Sequence, residues 1–537
     1  MGKNPNVRER ALFLFSPKRG SEAYRKRMER EENLPTGERR KSGEAKMSYG
    51  SHGASSTLNS LAGWLVDAGN AEDSIDLYSS TLRQRSRDLY EGGGLGRSGP
   101  LTLTTSTVAW GIIPKPKIDA DYLKISDDKA EEINKQIARE FKLWAENPMC
   151  DAERQKDFYT MQELAFLSML MSGDCFALLG MKPNKLTPYQ TTVRILEADR
   201  ICTPDSSGDS VSQETEDGGR IIDGVEISKE GEVIRYHIAS RSPIAANDAS
   251  ELTWTAIDAY GKDTGLPNIL HLMTYERPEQ RRGVPFVAAE IEKIKQFDRY
   301  MTSELAANIV SAMLTCFITS EEDDGHFGLE DAVNEEDKVS DDELNLELAP
   351  GAIYSLPPGK KIETVNPLRS NAQFEMFVNT CITEIASSMG IPKEVLMKKY
   401  ESNYTAARAA LLDFWRTVRV YRTKFNRAYN QPIYGQWLAE AVAAGRIDAP
   451  GFFDDPMARM AWCGCIWMGA SMGHVDPKKE VEAANERIAA NITTQEQEAS
   501  EYNGNDWAAN IRQRKKEIKA ENELLQLASQ GQKGNGT

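Results

Sequence analysis

The chain has 537 residues, 40% of them apolar and 27% charged, with a net charge of −16 at pH 7. That is ample for a packed core and for two to four folding units, and it excludes a protein that grips nucleic acid over its whole surface. No run of about 18 apolar residues exists and residues 11–15 are too short for a signal-peptide core, so no membrane partner is expected. Charge is segregated along the chain. Residues 1–46 hold thirteen Lys/Arg against seven Glu, a balance of +6, and a Gly/Ser-rich stretch follows to about 60. Disorder in isolation is the default for such an arm, with docking on a neighbouring subunit, a scaffold or nucleic acid left open.

From residue 61 the pattern is mixed. Segment 77–90 reads as helix, 120–145 as one amphipathic helix, and 158–171 as a helix apolar enough to be buried. Between the first two, Gly94-Leu95-Gly96-Arg97-Ser98-Gly99 fits G-x-G-x-x-G in form. A dinucleotide site needs a strand before it, whereas a charged helix-like segment precedes it and Pro100 follows. It reads as a flexible glycine loop leading into a Thr-rich, strand-like run. Segments 175–181, 191–195, 224–227 and 233–238 alternate like strands between Gly/Asp/Ser turns, and polar 203–222 reads as an exposed loop. The pattern is that of an α+β domain.

Arg281-Arg282-Gly283-Val284-Pro285 is a helix start signal. The helix expected over about 286–315 puts Val287, Ile291, Ile294, Met301, Leu305 and Ala312 on one face, with Lys293, Lys295 and Arg299 elsewhere. Residues 321–347 then hold thirteen Asp/Glu against Lys338 alone, a balance of −12. Glu321-Glu322-Asp323-Asp324 lacks calcium-loop spacing and reads as a solvated acidic surface. Segments 352–356 and 361–365 flank Pro357-Pro358-Gly359, a hairpin signal. A second helix, 372–389, presents Phe374, Phe377, Val378, Cys381, Ile382 and Ile385.

Polar Ser402-Asn403 leads into strong helix formers. Leu411, Phe414, Val418, Tyr421, Phe425 and Tyr429 recur at three-and-four spacing, and Arg408, Arg416, Arg419, Arg422 and Arg427 fall on the rest of the circumference. Periodicity alone fits an ordinary surface helix as well as one that presents a tip to a polyanion. Beyond 480 the chain reads as charged helix to about 529. Seven scattered cysteines fit reduced thiols, and Cys463-x-Cys465 lacks a second ligand pair, so a buried structural pair is expected rather than zinc. With five histidines and no P-loop, G-x-S-x-G or H-E-x-x-H, neither metal, cofactor nor catalysis is expected.

Asn403-Tyr404-Thr405-Ala406-Ala407-Arg408-Ala409-Ala410-Leu411-Leu412-Asp413-Phe414-Trp415-Arg416, preceded by Gly390-Ile391-Pro392, resembles the signature of lambda-family bacteriophage portal proteins. Further matches are Leu82-Arg83-Gln84-Arg85-Ser86-Arg87-Asp88-Leu89 upstream, and Trp462, Trp467, His474-Val475-Asp476-Pro477-Lys478-Lys479-Glu480, Ala483-Ala484 and Ile492-Thr493-Thr494-Gln495 downstream. They run in the family's order from about 80 to 500. Residues 94–99 depart from the family, which has an Asn-rich turn there.

The resemblance implies an α+β portal fold. Its parts would be a basic arm (1–60), a wing (61–282), a stem helix (283–318), an acidic clip with a β-hairpin (319–368) and a second stem helix (369–392). A tunnel loop (393–404), a long helix with the rest of the wing (405–480) and a helical crown with a flexible tail (481–537) would complete it. It further implies a non-enzymatic ring, twelve-fold in the family, assembled in the host cytoplasm at one capsid vertex of the virion. The ring would pass double-stranded DNA non-specifically and meet the terminase large subunit, a head–tail connector or adaptor, and the major capsid and scaffold proteins. Lys398, Lys399, Tyr400, Asn403 and Tyr404 would face DNA from the tunnel loop. Lys293, Lys295, Arg299, Arg408, Arg416 and Arg419 would serve channel or subunit contacts. Glu335, Glu336, Asp337, Asp341 and Asp342 would form the clip's acidic surface toward motor or connector. A nucleic-acid-binding subunit of a packaging enzyme, or a scaffold without a pore, are the alternatives; ATPase or nuclease activity and a missing channel would mark them.

Overall fold

The computed structural model describes residues 69–204, 212–243, 251–312, 316–318, 353–355, 374–400, 404–471, 477–503 and 507–533. The chain divides into two units, Met1–Ser74 and Ile75–Thr537. In the first, the described residues hold one helical turn, Ala71–Ser74. Asp73 N–H donates to Asn70 Oδ1 at 2.9 Å and Asn70 N–H donates to Asp73 Oδ2 at 3.3 Å, a reciprocal cap.

The second unit opens with helices α1 (Ser79–Gly92) and α2 (Gly94–Thr107). The flexible loop and strand-like run expected at 94–107 are in fact one helix with Pro100 inside it. Tertiary packing overrides propensity here. Leu95 and Leu103 are buried, and a Cβ at Gly96 would meet the Leu89 carbonyl oxygen at 2.7 Å, so glycine lets the two backbones close up.

Strand β1 (Ile113–Pro116) leads to α3 (Ala120–Leu123) and α4 (Asp127–Ala145). The single helix expected over 120–145 is broken, because Lys124 takes a left-handed φ of 54° and Ser126 starts afresh. Its hydroxyl accepts from Lys129 N–H, and Asp127 and Asp128 complement the positive N-terminal end. Helix α5 (Phe158–Ser172) is capped by Asp157, whose Oδ1 accepts from Thr160 N–H at 2.8 Å. Phe158, Met161, Ala165, Phe166, Met169 and Leu170 are buried along it.

The strands follow in order: β2 (Asp174–Met181), β3 (Thr191–Leu196), β4 (Ser212–Glu214), β5 (Arg220–Ile222), β6 (Val225–Ile227), β7 (Val233–Ala239), β8 (Trp254–Asp258) and β9 (Ile269–Met273). β2 lies between β3 and β9, antiparallel to both, and β4 to β8 form an antiparallel meander. The expected exposed loop at 203–222 thus contains two strands, with Ile221 and Ile222 buried. Successive β2 side chains point to opposite faces. Cys175, Ala177 and Leu179 enter the larger core, while Phe176 enters a second one with Ile201, Ile222, Val225, Tyr236 and Ile238. One strand therefore joins two cores.

After β9 come α6 (Ile291–Ala312), β10 (Cys316–Ile318), β11 (Ile353–Ser355), α7 (Phe374–Ser388), α8 (Lys393–Met397) and α9 (Tyr404–Phe425). A π-helical turn, Asn426–Asn430, passes α9 into α10 (Gln431–Ala443). Then follow α11 (Pro456–Trp462), β12 (Cys465–Met468), α12 (Pro477–Ala489), α13 (Gln495–Asn503) and α14 (Trp507–Lys533). β12 pairs antiparallel with β1. β11 pairs in parallel with β10, and the other arm of the expected hairpin, 361–365, lies outside the described residues. Among the described residues no helix is long and apolar enough to cross a membrane. Helix and sheet are mixed throughout, as an α+β class requires.

Candidate functional site

Three elements carry the residues singled out in the sequence: the tip 398–404, helix α9, and the helix pair α6 and α7. The tip begins with α8, seated by buried Val395 and Leu396 and by Ser98, whose hydroxyl donates to the Leu396 carbonyl at 2.8 Å. Lys398 ends α8 in a left-handed conformation (φ 53°), and the Lys398 and Lys399 N–H groups both turn back to the Glu394 carbonyl. This cap directs the chain away from the core at Lys398, Lys399 and Tyr400, all exposed, the tyrosine by 53%. Residues 401–403, Asn403 among them, lie outside the described residues, and Tyr404 heads α9. The expected tunnel loop thus contains a helix, Lys393–Met397, at its start.

Helix α9 is anchored along the stripe predicted for it. Phe414, Val418, Phe425 and Tyr429 are buried, with Leu411 and Tyr421 half-buried beside them. Tyr429 stacks between Phe158 (6.0 Å) and Phe425 (5.1 Å), which fastens the helix to α5. The arginines do not share one fate. Arg416, Arg419 and Arg427 are exposed, and Arg416 reaches Asp413 only at 3.9 Å. Arg408 pairs with Glu480 at 3.6 Å. Arg422, placed by periodicity with the outer set, turns inward. Its Nε and Nη2 donate to the Thr107 and Ser106 carbonyls, each at 3.0 Å, at the C-terminal end of α2. Burial, with Arg419 adding to it, pulls its pKa down to about 10.

The π-helical turn below α9 is held by a buried amide relay. Gln162 Nε2 donates to Asn430 Oδ1 at 2.9 Å, and Asn430 Nδ2 donates to Asn426 Oδ1 at 2.7 Å. Gln162 Oε1 accepts from Ile112 N–H at 2.7 Å, and both Gln162 and Asn430 are fully buried. Asn430→Leu would leave one of the two Gln162 Nε2–H donors without its acceptor, the other keeping the Ile112 carbonyl at 3.0 Å, so a loss of about 1–3 kcal/mol is expected on chemical unfolding. An unchanged midpoint would show that the relay does not hold the turn.

On α6, Lys293 meets Glu384 of α7 at 2.6 Å and Glu290 at 3.5 Å, Lys295 meets Asp88 at 3.3 Å, and Arg299 donates to Gln296 at 3.5 Å. The hydrogen bond to Glu384 raises the Lys293 pKa. These cations are thus partnered within the chain. The helix expected from about 286 starts at Ile291 after a 3-10 turn, Ala288–Glu290, and of its expected apolar face Ile294 is buried, with Val287 buried ahead of the helix. Farther along, Leu305 and Ile309 are 62% and 51% exposed, as are Met376 and Phe377 of α7 at 70% and 51%. Tyr300 stacks with Phe374 at 6.0 Å and meets Phe377 edge-on at 5.2 Å, so aromatic contacts join the two helices. Glu335, Glu336, Asp337, Asp341 and Asp342 lie outside the described residues. Cys463 and Cys465 are free and half-buried, and burial raises the Cys463 pKa to about 11.

A buried ionic junction lies where the chain turns toward α6. Arg282 is fully buried. Its Nε and Nη2 grip Asp174 at 2.6 and 3.3 Å, and the remaining N–H groups donate to the Ile201, Asp223 and Ala198 carbonyls at 2.7–2.9 Å. Nη1 also lies 2.8 Å from Asp223 Oδ2. Arg83 bridges Asp199 (3.1 Å) and Asp223 (3.5 Å), and Arg87 pairs with Asp199 too. Burial disfavours each charge, but the opposite charges prevail: Arg282 is raised and Asp174 is held well below the usual carboxylate range.

The profile described as phage portal protein, lambda family, matches residues 57–422, more than half of the chain. Portal protein B of Escherichia phage lambda is 24% identical over 407 residues, 72% of this chain and 73% of that protein. The portal protein of Escherichia phage N15 is 23% identical over 406 residues, 72% and 74% of the two chains. A probable portal protein of Halomonas phage phiHAP-1 is 22% identical over 430 residues, 79% and 77%. Among solved structures, the neck of a native GTA particle computed with C12 symmetry aligns with a TM-score of 0.38 at 12% identity, covering 80% of this chain and 93% of that one. The neck of an empty GTA particle computed with C6 symmetry gives 0.37 at 13%, covering 74% and 95%. At these scores the likeness is slight and carries nothing further.

Proposed function

Since the chain belongs to the lambda family of phage portal proteins, structural rather than enzymatic components of the virion, we propose that it forms a closed ring through which double-stranded DNA passes. The observation that carries this reading is the tip: Lys398, Lys399 and Tyr400 stand clear of the core on a short helix seated by Val395, Leu396 and Ser98. Two adjacent cations repeated around a ring would touch phosphates without reading sequence, and the ring would supply the multiplicity that weak contacts need. Exposed Arg416 and Arg419 on α9 extend the basic surface below the tip. Asn403 and Tyr404 are assigned to the same loop by their place in the family signature.

Ring contacts of this kind are heterologous surfaces that close by rotation. The open apolar residues of α6 and α7 fit a neighbouring copy, as Leu305, Ile309, Met376 and Phe377 are each more than half exposed. The −12 of residues 321–347, repeated around the axis, would repel DNA that strayed toward it or receive a cationic motor or connector. Docking of the terminase large subunit, the head–tail connector, and the capsid and scaffold proteins belongs to the same proposal.

The test is Lys398→Ala/Lys399→Ala in the full chain. Rings with a central channel should persist in negative-stain images, while packaged or retained DNA falls by on the order of tenfold as the phosphate contacts vanish. If the variant fails to assemble, the two lysines are structural and the assignment is wrong. If assembly and packaging are both untouched, the DNA-facing element lies elsewhere.

A further inference from the structure

Phe453, Met457 and Met460 stand at spacings of four and three on α11 and the turn before it, 62%, 55% and 69% exposed. The inner side of the same segment is already filled by buried Phe452, Ala458, Ala461 and Trp462, so the outer side is no displaced core face. Asp455 caps α11 by accepting from Met457 N–H at 2.9 Å, and its other oxygen accepts from the Tyr122 hydroxyl at 3.0 Å. That bond draws α3 alongside. The flanking segments 119–124 and 448–459 carry five carboxylates (Asp119, Asp121, Asp448, Asp454, Asp455) and two cations. One of the cations, Arg459, is held over the Phe452 ring at 5.6 Å.

An apolar patch with an acidic rim calls for a segment that is apolar in the middle and cationic at its ends. This chain carries one. Ala11-Leu12-Phe13-Leu14-Phe15 sits between Arg8 and Arg10 on one side and Lys18 and Arg19 on the other, with Glu9 the only acid within residues 8–19. We propose that residues 8–19 of one copy dock on the Phe453–Met457–Met460 patch of its neighbour. Fifty positions separate Arg19 from Gly69, and at roughly 3.3 Å per residue that chain spans up to about 165 Å, enough to reach another subunit. Head-to-tail symmetry offers each arm one patch and each patch one arm, so the exchange closes with the ring. The docking therefore rests on the ring reading.

The experiment places the photo-crosslinker p-benzoylphenylalanine at position 13 of the full chain, in rings assembled from mixed heavy-isotope and ordinary copies. Irradiation should give covalent dimers whose crosslink maps to residues 453–460 and joins a heavy to a light chain. Met457→Ser/Met460→Ser/Asp454→Lys changes only exposed side chains. It should keep the circular dichroism and the rings while cutting crosslink yield about fivefold or more, since apolar contact and charge attraction both go. Crosslinks elsewhere, an unchanged yield in the triple variant, or crosslinks confined to one chain overturn the docking and leave the ring standing. A protein that forms no rings overturns the ring reading and the docking with it.

Discussion

Gly283→Ala is expected to leave little folded protein. A Cβ at Gly283 would lie 1.9 Å from the Gly173 carbonyl oxygen and 2.4 Å from its carbonyl carbon. The reverse also holds: a Cβ at Gly173, itself at φ +87°, would lie 2.6 Å from the Gly283 oxygen. Both obstacles are backbone, so no rotamer change relieves either. Gly173 joins α5 to β2, and Gly283 N–H donates to Asp174 Oδ2 at 3.1 Å, so separating the strands also strains the Arg282 junction. A loss on the order of 4–5 kcal/mol, at the far end of single-residue effects, follows. The control is Gly445→Ala. Gly445 has a left-handed φ of +65° but nothing within 4 Å of a Cβ, so its change should cost only about 1–2 kcal/mol of backbone strain. Soluble yield and thermal unfolding of the two variants decide the matter. Should Gly283→Ala unfold no earlier than Gly445→Ala, the crossing is looser than the geometry states.

That crossing marks the limit of what was legible in the chain. Where one period rules a segment, reading succeeded: α5 and the Leu411–Tyr429 stripe show unbroken three-and-four spacing, and β2, β3 and β7 carry β-branched or apolar alternation. Where a single residue decides, reading failed, as at Lys124, whose left-handed turn splits the expected helix in two. The α2 segment looked like a loop because its glycines count against helix locally, while remote neighbours select them, Leu89 at Gly96 and Met389 at Gly99. Strands of three residues, such as Arg220–Ile222, are too short to impose a period on a polar stretch. In the candidate site the tip was legible as a polar start to a helix. The inward turn of Arg422 was not, because its acceptors at Ser106 and Thr107 lie more than three hundred residues away. Ionic partners of Arg282 are likewise remote, 108 positions away at Asp174.

The second large effect concerns that arginine. Arg282→Met would leave Asp174 and Asp223 buried opposite a thioether, and breaking a buried pair from one side costs about 3–5 kcal/mol. Removing both partners should be milder than the sum. Arg282→Met/Asp174→Leu should be more stable than additivity predicts by on the order of 1–3 kcal/mol, because Asp174 is then no longer stranded and Asp223 keeps Arg83 at 3.5 Å. A double variant that merely adds the single losses would mean that the two groups are not energetically coupled. The junction also sets the acid limit. His271 stacks on the Phe176 ring at 4.2 Å and stands 3.5 Å from Asp174. Burial lowers its pKa, the nearby Asp174 carboxylate only partly opposing this. The unfolded chain therefore takes up a proton on His271 below about pH 6.5 that the folded chain refuses, and stability falls as pH drops through that range. Asp174 works in the same direction lower down. Held well below its unfolded value of about 3.9, it stabilises the fold above that pH and loses the contribution as acid approaches its folded pKa. Denaturant midpoints measured from pH 8 to pH 4 should decline in the native chain, with the first part of the decline missing in His271→Gln. Because Arg282 joins β2, the meander and α1 at the point where the chain turns toward α6, acid should loosen the setting of that helix before it melts the larger core. Loss of rings ahead of loss of helical signal on acid titration is the expected order, and the reverse order would place the weak point elsewhere.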